Sequence, residues 1–583
     1  MPSSSWLNSL WQKPVGPALA WAASVVLLFH RLPFGISYAD EASYSAIPYS
    51  FAIGGRPYVD ELGVFQNVGI LLTPFFRAYI AIAGSGDGLV LFNRYLYFVC
   101  VVAVSVLAFR FVKRVVSTGT ACWVGGLIVT FAYFGILSIS YNSCGAFGFL
   151  CGMAVAGRAL LSPRPGLGLF GATLLCVVAM FGYPGLTPVV ALYLMTVVGW
   201  LYWMTPRASF SNGLLGLCAG VGVALLAGAT FVIRVGFENV VHVAEFTRNM
   251  GYAKQGALQR LNVFGSMFEH WGFRPLAYLA LYVALPLACR FLKSTFLLVA
   301  AAAATAVALA YCYWLCLSVF TSSPVAIGLL TIPMLAPVCF ALNPGWKYGR
   351  FMLLLFWLPS TLSMVAVCYS SANSYFNAYT GSLGALLAGV VSFAALVETM
   401  VERAPELRLG YQAMLLAFTA SLLINQNRAL YAVVYAEEPR MDLLTTRVHS
   451  GPFRGTKTSA EGATFLETID RDLKTVEREN PAAKTLTVFD NFPGGYMSTR
   501  LKPRTFSNWI IWGFFVPERA RALAQETFGS PDQLPDILLE VTKDGLGLSY
   551  WEQYVHGQYK PIIRRPDLKY AILKKIHKHA ARK

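Results

Sequence analysis

The sequence predicts a polytopic α-helical membrane protein with a small C-terminal α/β domain on the extracytoplasmic side. Three observations carry that prediction. The 583-residue chain is 56% hydrophobic and only 13% charged. Apolar blocks recur from Ala18 to about Leu423, and a helix needs ~20 predominantly apolar residues to cross the hydrocarbon core. From Glu437 onward the composition is that of an ordinary soluble protein.

On that length criterion about thirteen spans are expected. They fall near 17–34, 88–110, 119–137, 144–161, 167–182, 186–204, 211–233, 274–290, 294–320, 324–343, 350–370, 378–398 and 410–426. Two pairs are divided only by short breaks, at Gly182-Tyr-Pro-Gly185 and at Thr321-Ser-Ser-Pro324. Basic residues fall in alternate connections: Lys13, Lys113/Arg114, Arg158/Arg164, Arg207, Arg290/Lys293, Lys347/Arg350 and Arg403/Arg408. By the positive-inside rule that register puts the N-terminus on the cytoplasmic side and, after an odd number of spans, the C-terminal domain outside. The first span has no small-residue cleavage site and reads as retained. Two units follow, residues 1–436 in the membrane and residues 437–583 outside it.

The net charge of +17 does not imply nucleic acid. Basic residues outnumber acidic ones 23 to 11 before Glu437 and 23 to 18 after it, and the first excess sits mostly in cytoplasmic loops. It fits topology and contact with anionic membrane lipids, with no nucleic-acid partner. All eleven cysteines lie at or before Cys368, so the outer domain must fold without disulfides.

Polar chemistry is concentrated on two long outward-facing loops, 35–86 and 234–274. The first opens with adjacent carboxylates, Asp40 and Glu41, at the membrane rim, where acids usually mean chemistry rather than packing. Ala42–Ile53 reads as an amphipathic helix lying at the interface. The turn Gly54-Gly55-Arg56-Pro57 must end it, and a second acidic pair, Asp60 and Glu61, follows on a course that brings both pairs toward one cavity. Tyr44 and, on a later outer connection, Asn142 offer groups suited to a sugar. In the second loop His242, Glu245 and Arg248 recur every three residues, so one helix face holds all three, either as a surface ion-pair ladder or as a lid. Arg56, Arg248, Lys254 and Arg260 are the cations available to a phosphate. Inside the spans almost no charge lies far from an end; Arg94, at the outer end of the second span, either snorkels or faces the cavity.

In the C-terminal part, Glu461–Asn480 has helical spacing of Phe465, Leu466, Ile469, Leu473 and Val476. Strands are expected at Lys484–Phe489, Asp536–Val541 and Lys569–Leu573, with a helix at about 517–527, which gives an α/β domain with some parallel pairing. Asp490-Asn-Phe-Pro-Gly-Gly-Tyr496 follows the first strand, where such domains place ligand contacts, although a plain turn is the favoured reading.

The stretch YADEASYSAIPYSFAIGGRPYVDELGVFQNVGILLTPFFRAY (Tyr38–Tyr79) resembles the first outer loop of the bacterial GT-C glycosyltransferases. It has the Asp-Glu start, the Gly-Gly-x-Pro-Tyr turn with Asp, and the Pro-Phe run. That superfamily includes protein O-mannosyltransferases, the lipid A aminoarabinose transferase and arabinofuranosyltransferases. The resemblance implies a GT-C-like membrane fold and transfer of a sugar from a polyprenyl-phosphate donor, with inversion, to a glycan, lipid or protein acceptor. Asp40 matches the family's first-loop aspartate and becomes the base that activates the acceptor hydroxyl. Glu41 orients the acceptor or, with Asp40, a metal. Asp60, Glu61, Tyr44, Asn142, His242 and Glu245 become substrate contacts, and Arg56, Arg248, Lys254 and Arg260 the donor-phosphate contacts. The resemblance leaves the participation of a divalent cation open, because members of the superfamily differ, and it implies no other cofactor. The competing readings are a non-enzymatic exporter or flippase and an O-antigen polymerase or ligase.

Overall fold

In the computed structural model, residues 14–576 are described apart from 64, 133–134, 249–261, 263–264, 266–268, 270–271, 318–322, 372–373, 433–440, 490–491, 510–516, 542–551 and 556. Each expected span contains a helix among them. In chain order the helices are α1 (Val15–Arg31), α2 (Asp40–Ala52), α3 (Gln66–Ala83), α4 (Leu89–Val112), α5 (Thr118–Thr130), α6 (Tyr141–Leu160), α7 (Gly166–Gly182), α8 (Thr187–Met204), α9 (Arg207–Val235) and α10 (Phe237–Arg248). They continue with α11 (Arg274–Phe291), α12 (Thr295–Leu317), α13 (Ser323–Thr331), α14 (Leu335–Leu342), α15 (Gly349–Ser370), α16 (Tyr379–Arg403) and α17 (Arg408–Ala432). Eight of them, α4, α6, α8, α9, α12, α15, α16 and α17, are long and apolar enough to cross a membrane. Four further apolar stretches, α1, α5, α7 and Ile327–Leu342, are shorter.

The bundle packs around α16, which is buried from Tyr379 to Val397. Its glycines make this possible: a Cβ on Gly381 would lie 2.5 Å from the backbone of Ser363 and Met364 in α15, and one on Gly389 2.5 Å from the carbonyl of Ile332. Small residues that let backbones approach are the usual currency of helix packing in membranes. Helix α5 stops at Thr130, short of the expected 137. The chain that follows, Ile136 to Ser140, is not helical and is buried. Irregular backbone is tolerated at such depth only inside protein, and here it carries Ser138 to the loop that follows α1.

That loop departs from expectation. Helix α2 is no interfacial helix with one wet face, because every residue from Glu41 to Phe51 is buried. The alternation of small polar and apolar residues that suggested a lipid surface instead meets protein on both sides: Ser45 Oγ is 3.3 Å from Asn93 Nδ2 of α4, and Tyr49 Oη donates to the Thr499 carbonyl at 2.8 Å. Gly54 takes φ 105°, which ends the helix where the Gly-Gly turn was expected, and the Gly55 N–H donates to Ser50 O at 2.8 Å. Gln66 and Asn67 then open α3 and hold the turn, accepting from the Tyr58 N–H and Tyr58 Oη at 2.7 Å each. Tyr58 needs that support, since its φ is 64°.

After α17 the chain forms a short ribbon, β1 (Thr446–Arg447) against β2 (Lys457–Thr458), helix α18 (Ala460–Glu479), and a five-stranded sheet. The sheet comprises β3 (Thr485–Phe489), β4 (Lys502–Pro503), β5 (Ile537–Val541), β6 (Tyr559–Arg565) and β7 (Tyr570–Lys575), in the order β4-β3-β5-β7-β6. Helix α19 (Pro517–Phe528) connects β4 to β5. Strand β3 pairs parallel with β4 and β5, while β7 is antiparallel to both its neighbours. Strand β6 went unexpected because Lys560, Pro561, Arg564 and Arg565 hide its pattern; Pro561 is tolerated because β6 is an edge. The Gly-Gly turn after β3 is structural: Pro493–Ser498 is a buried 3-10 segment, packed between the sheet and α2.

The α/β part does not hang from a tether. The Lys457 N–H donates to the Pro33 carbonyl at 2.6 Å, and the Lys457 carbonyl accepts from the Gly35 N–H at 2.9 Å. Gly88 and Val90 N–H groups donate to Gly451 and Pro452 carbonyls, and Lys474 pairs with Asp87 at 2.9 Å. One apolar core runs from the helices into the sheet. The α/β part therefore sits at the same end of the bundle as Asp40.

Candidate active site

Asp40 and Glu41 form the first turn of α2, where acids complement the positive end of the helix dipole. Asp40 is half-buried; its carbonyl accepts from Ser43 Oγ at 2.7 Å. Glu41 is 2% exposed and faces away into protein. Arg94 of α4 grips it as a fork, with Nε on Oε1 and Nη2 on Oε2, both at 2.6 Å, and Ser138 Oγ donates to Oε1 at 2.5 Å. The rest of the guanidinium donates to the carbonyls of Leu32 and Gly35 at 2.5 Å each. One arginine thus ties the end of α1, the start of the loop that follows it and the first turn of α2.

This corrects the role given to Glu41. Both its oxygens are taken, so it is not placed to orient an acceptor or to ligate a cation. Among the described residues no three His, Cys, Asp or Glu side chains gather into a cation site. A divalent cation at this turn would meet the carboxylate of Asp40 and would take its other oxygens from water and the donor phosphate.

The second acidic pair does not converge on Asp40 either. Asp60 turns back on its own loop, accepting from the Arg56 N–H at 2.7 Å and pairing with the guanidinium at 3.3 Å. Arg56 is 71% exposed, so the pair contributes little to stability. These contacts put Arg56 and Asp60 beyond the C-terminal end of α2, whereas Asp40 begins it. The 13 residues between span about 20 Å of helix rise. Arg56 is therefore withdrawn from the donor-phosphate set and Asp60 from the contacts at Asp40.

Glu61 is buried and joins the loop to the α/β part. It accepts from Gly63 N–H at 2.9 Å, from Asn508 N–H at 2.7 Å and from Ser507. Burial pushes its carboxyl up to about 7, against the pull of those three donors. Glu61 is a tie between the two parts rather than a substrate contact. The folded state holds its proton more tightly than the unfolded chain does. That contribution to stability is full below the unfolded carboxyl range near 4.5 and is lost as pH rises through about 7. The melting temperature of detergent-purified protein should fall between pH 5 and pH 8 by more than it does in Glu61→Gln. Parallel profiles in the two proteins would contradict the assignment.

Between these carboxylates lies an aromatic cluster that sequence reasoning found only in part. Tyr44 stacks edge-on against Tyr141 and Trp509, and Phe65 lies against both, at centroid distances of 4.8–5.9 Å. Tyr141 continues the cluster to Tyr183 at 5.7 Å. Ser140 and Ser143 form a capping box that starts α6 and fixes Asn142 one residue in. Asn142 is fully buried; its Oδ1 accepts from Thr380 Oγ1 at 2.9 Å, while Nδ2 has no partner among the described residues. Asn93, adjacent to Arg94, accepts the Ile139 N–H and holds Ser45, so two successive residues of α4 fix both α2 and the 138–140 segment. No motif spacing betrayed Asn93, Ser138 or Trp509, because their partners lie far away in sequence.

Helix α10 presents His242, Glu245 and Arg248 on an exposed face, opposite Val243 and Phe246. No ion pair joins Glu245 to Arg248 among the described residues. Phe246 packs against Phe506 at 5.7 Å, so α10 leans on the α/β part. Lys254 and Arg260 lie outside the described residues.

Solved structures to which the chain is similar include the following two. One is an oligosaccharyltransferase from Archaeoglobus fulgidus in complex with zinc and sulfate, at 9% identity and a TM-score of 0.49, covering 90% of this chain and 68% of that one. The other is ArnT from Cupriavidus metallidurans bound to undecaprenyl phosphate, at 13% identity and a TM-score of 0.41, covering 96% and 98%. No protein-family model and no curated protein matches the chain. The functional reading below stands on the residues of this chain.

Proposed function

We propose that this protein is an inverting membrane glycosyltransferase that moves a sugar from a polyprenyl-phosphate donor to a glycan, lipid or protein acceptor outside a bacterial inner membrane. The observation that carries the reading is a carboxylate at a fixed point. Asp40 leads a helix whose next residue is locked by Arg94 and Ser138, at the seam between the bundle and the α/β part. The resemblance of Tyr38–Tyr79 to the GT-C first loop assigns the chemistry.

In that chemistry Asp40 takes the proton from the acceptor hydroxyl as its oxygen attacks the anomeric carbon. The bond from that carbon to the phosphate oxygen breaks, and polyprenyl phosphate departs. Its charge needs a cation, for which Arg248, Lys254 and Arg260 are the candidates. The aromatic faces of Tyr44 and Tyr141 suit the apolar face of a pyranose or furanose ring. Incubation of purified protein with polyprenyl-phosphate sugars and envelope extract should release free polyprenyl phosphate and a new glycoside. Absence of both with every donor would favour a non-enzymatic exporter.

The two-unit division and the orientation belong to the same proposal. A cysteine introduced at Ala460 should be labelled from the extracytoplasmic side and one at Lys113 from the cytoplasm. Cytoplasmic labelling at 460 would overturn the orientation, and with it the outer location of Asp40.

A further inference from the structure

At the far end of α2 from Asp40, the loop turn and the α/β part enclose a cleft of about 490 Å³. Arg56 and Asp60 line one wall, and Lys502 and Arg504, on and just after the edge strand β4, line the other. Thr485, Thr505, Thr527 and Gln533 complete it with polar groups, together with Glu526.

The two acids are already engaged. Asp60 is bound to the N–H and guanidinium of Arg56, and Glu526 pairs with Arg519 at 2.9 Å. Arg504 is braced by the carbonyls of Gln533 and Asp532 at 3.2 and 3.0 Å, which holds its guanidinium at the rim. Lys502 is exposed, and no acidic partner engages it among the described residues. Three cations, one of them without an acidic partner among the described residues, in a roomy cleft lined by threonines and a glutamine point to an oxyanion-bearing, hydroxyl-rich ligand. The mixture of cations with hydroxyl and amide groups suits a saccharide better than a lipid, because an apolar tail finds only Val59, Pro503 and Phe506 here.

We propose that this cleft is a distal acceptor subsite for an anionic saccharide, one carrying carboxylate or phosphate groups. The proposal deepens the glycosyltransferase reading and rests on it for the word acceptor. The separation of about 20 Å along α2 lets an extended glycan reach Asp40 with one end while a charged unit several sugars away sits between Arg56 and Lys502. The site would select long, acidic acceptors without touching the reacting atoms.

The test uses the full-length protein in detergent and two anionic probes, tetragalacturonate for carboxylate and mannose 6-phosphate for phosphate, each with its neutral counterpart. Binding of at least one anionic probe should be tighter than of its neutral partner and should weaken with salt. Lys502→Gln should weaken it about tenfold, the loss of one charge-assisted contact at a wet rim. Lys502→Arg should restore binding. Asp40→Asn should bind like wild type, which separates this proposal from the catalytic one: probe binding with no transfer by wild type would sink the enzyme reading and keep the anionic-saccharide site. Equal affinity for anionic and neutral probes, or for wild type and Lys502→Gln at an unchanged melting temperature, would overturn the subsite. Lys560→Gln, on the opposite edge strand β6, is the control and should change nothing; an equal loss there would mean general charge attraction and would also overturn it.

Discussion

Asp40→Asn should yield a folded protein that binds donor and transfers sugar about 10²–10⁴-fold more slowly, the usual contribution of a positioned general base. The amide keeps the size and most of the hydrogen bonding of the carboxylate but does not accept a proton at neutral pH. Because Asp40 is half-buried and Asn keeps the size of its side chain, the substitution should leave the melting temperature close to wild type. The measurement is initial transfer rate at saturating donor, with folding followed separately. A variant with full activity would remove Asp40 from the mechanism; an unfolded one would show that the charge at this turn is structural.

Arg94→Ala should have the larger effect on the fold. It strands Glu41 in a site that is 2% exposed and withdraws four donors from three chain segments. Breaking one side of a buried ion pair costs on the order of 3–5 kcal/mol, because the remaining charge has no partner. Arg94→Lys should rescue little, since an ammonium cannot reproduce the fork that grips both Glu41 oxygens. Glu41→Gln strands the cation instead, and the double variant Glu41→Gln/Arg94→Gln should be more stable than the sum of the two single losses. Additivity in that cycle would mean that the pair is not an energetic unit. Where a partly folded variant survives, a fall in kcat at unchanged donor affinity would mark a positioning role, felt through Asp40.

The helical class was legible because apolar blocks of span length carry their own signal, and turn residues announced their breaks. The core of the soluble part was legible for the same reason: Leu466, Ile469, Leu473 and Val476 keep helical spacing and face the sheet. The first outer loop was legible as a motif and misread as a surface. Ser43, Ser45 and Ser50 look solvent-facing in sequence, yet a protein covers both sides of α2, and no local pattern says so. Of the candidate site, the pairing of Glu41 with Arg94 joins residues 53 apart, and that of Glu61 with Asn508 joins residues 447 apart. Sequence spacing cannot express such contacts, and they are what commits Glu41 and Glu61 to structure.

The central claim is that this chain catalyses direct displacement at an anomeric carbon held by a polyprenyl phosphate. The most direct test is the anomeric configuration of the product formed by wild-type protein from a stereochemically pure polyprenyl-phosphate sugar, read by NMR of the new glycoside. The account predicts the opposite anomer from the donor, in a reaction that Asp40→Asn does not support. A product of retained configuration, or transfer at the wild-type rate by Asp40→Asn, would contradict it.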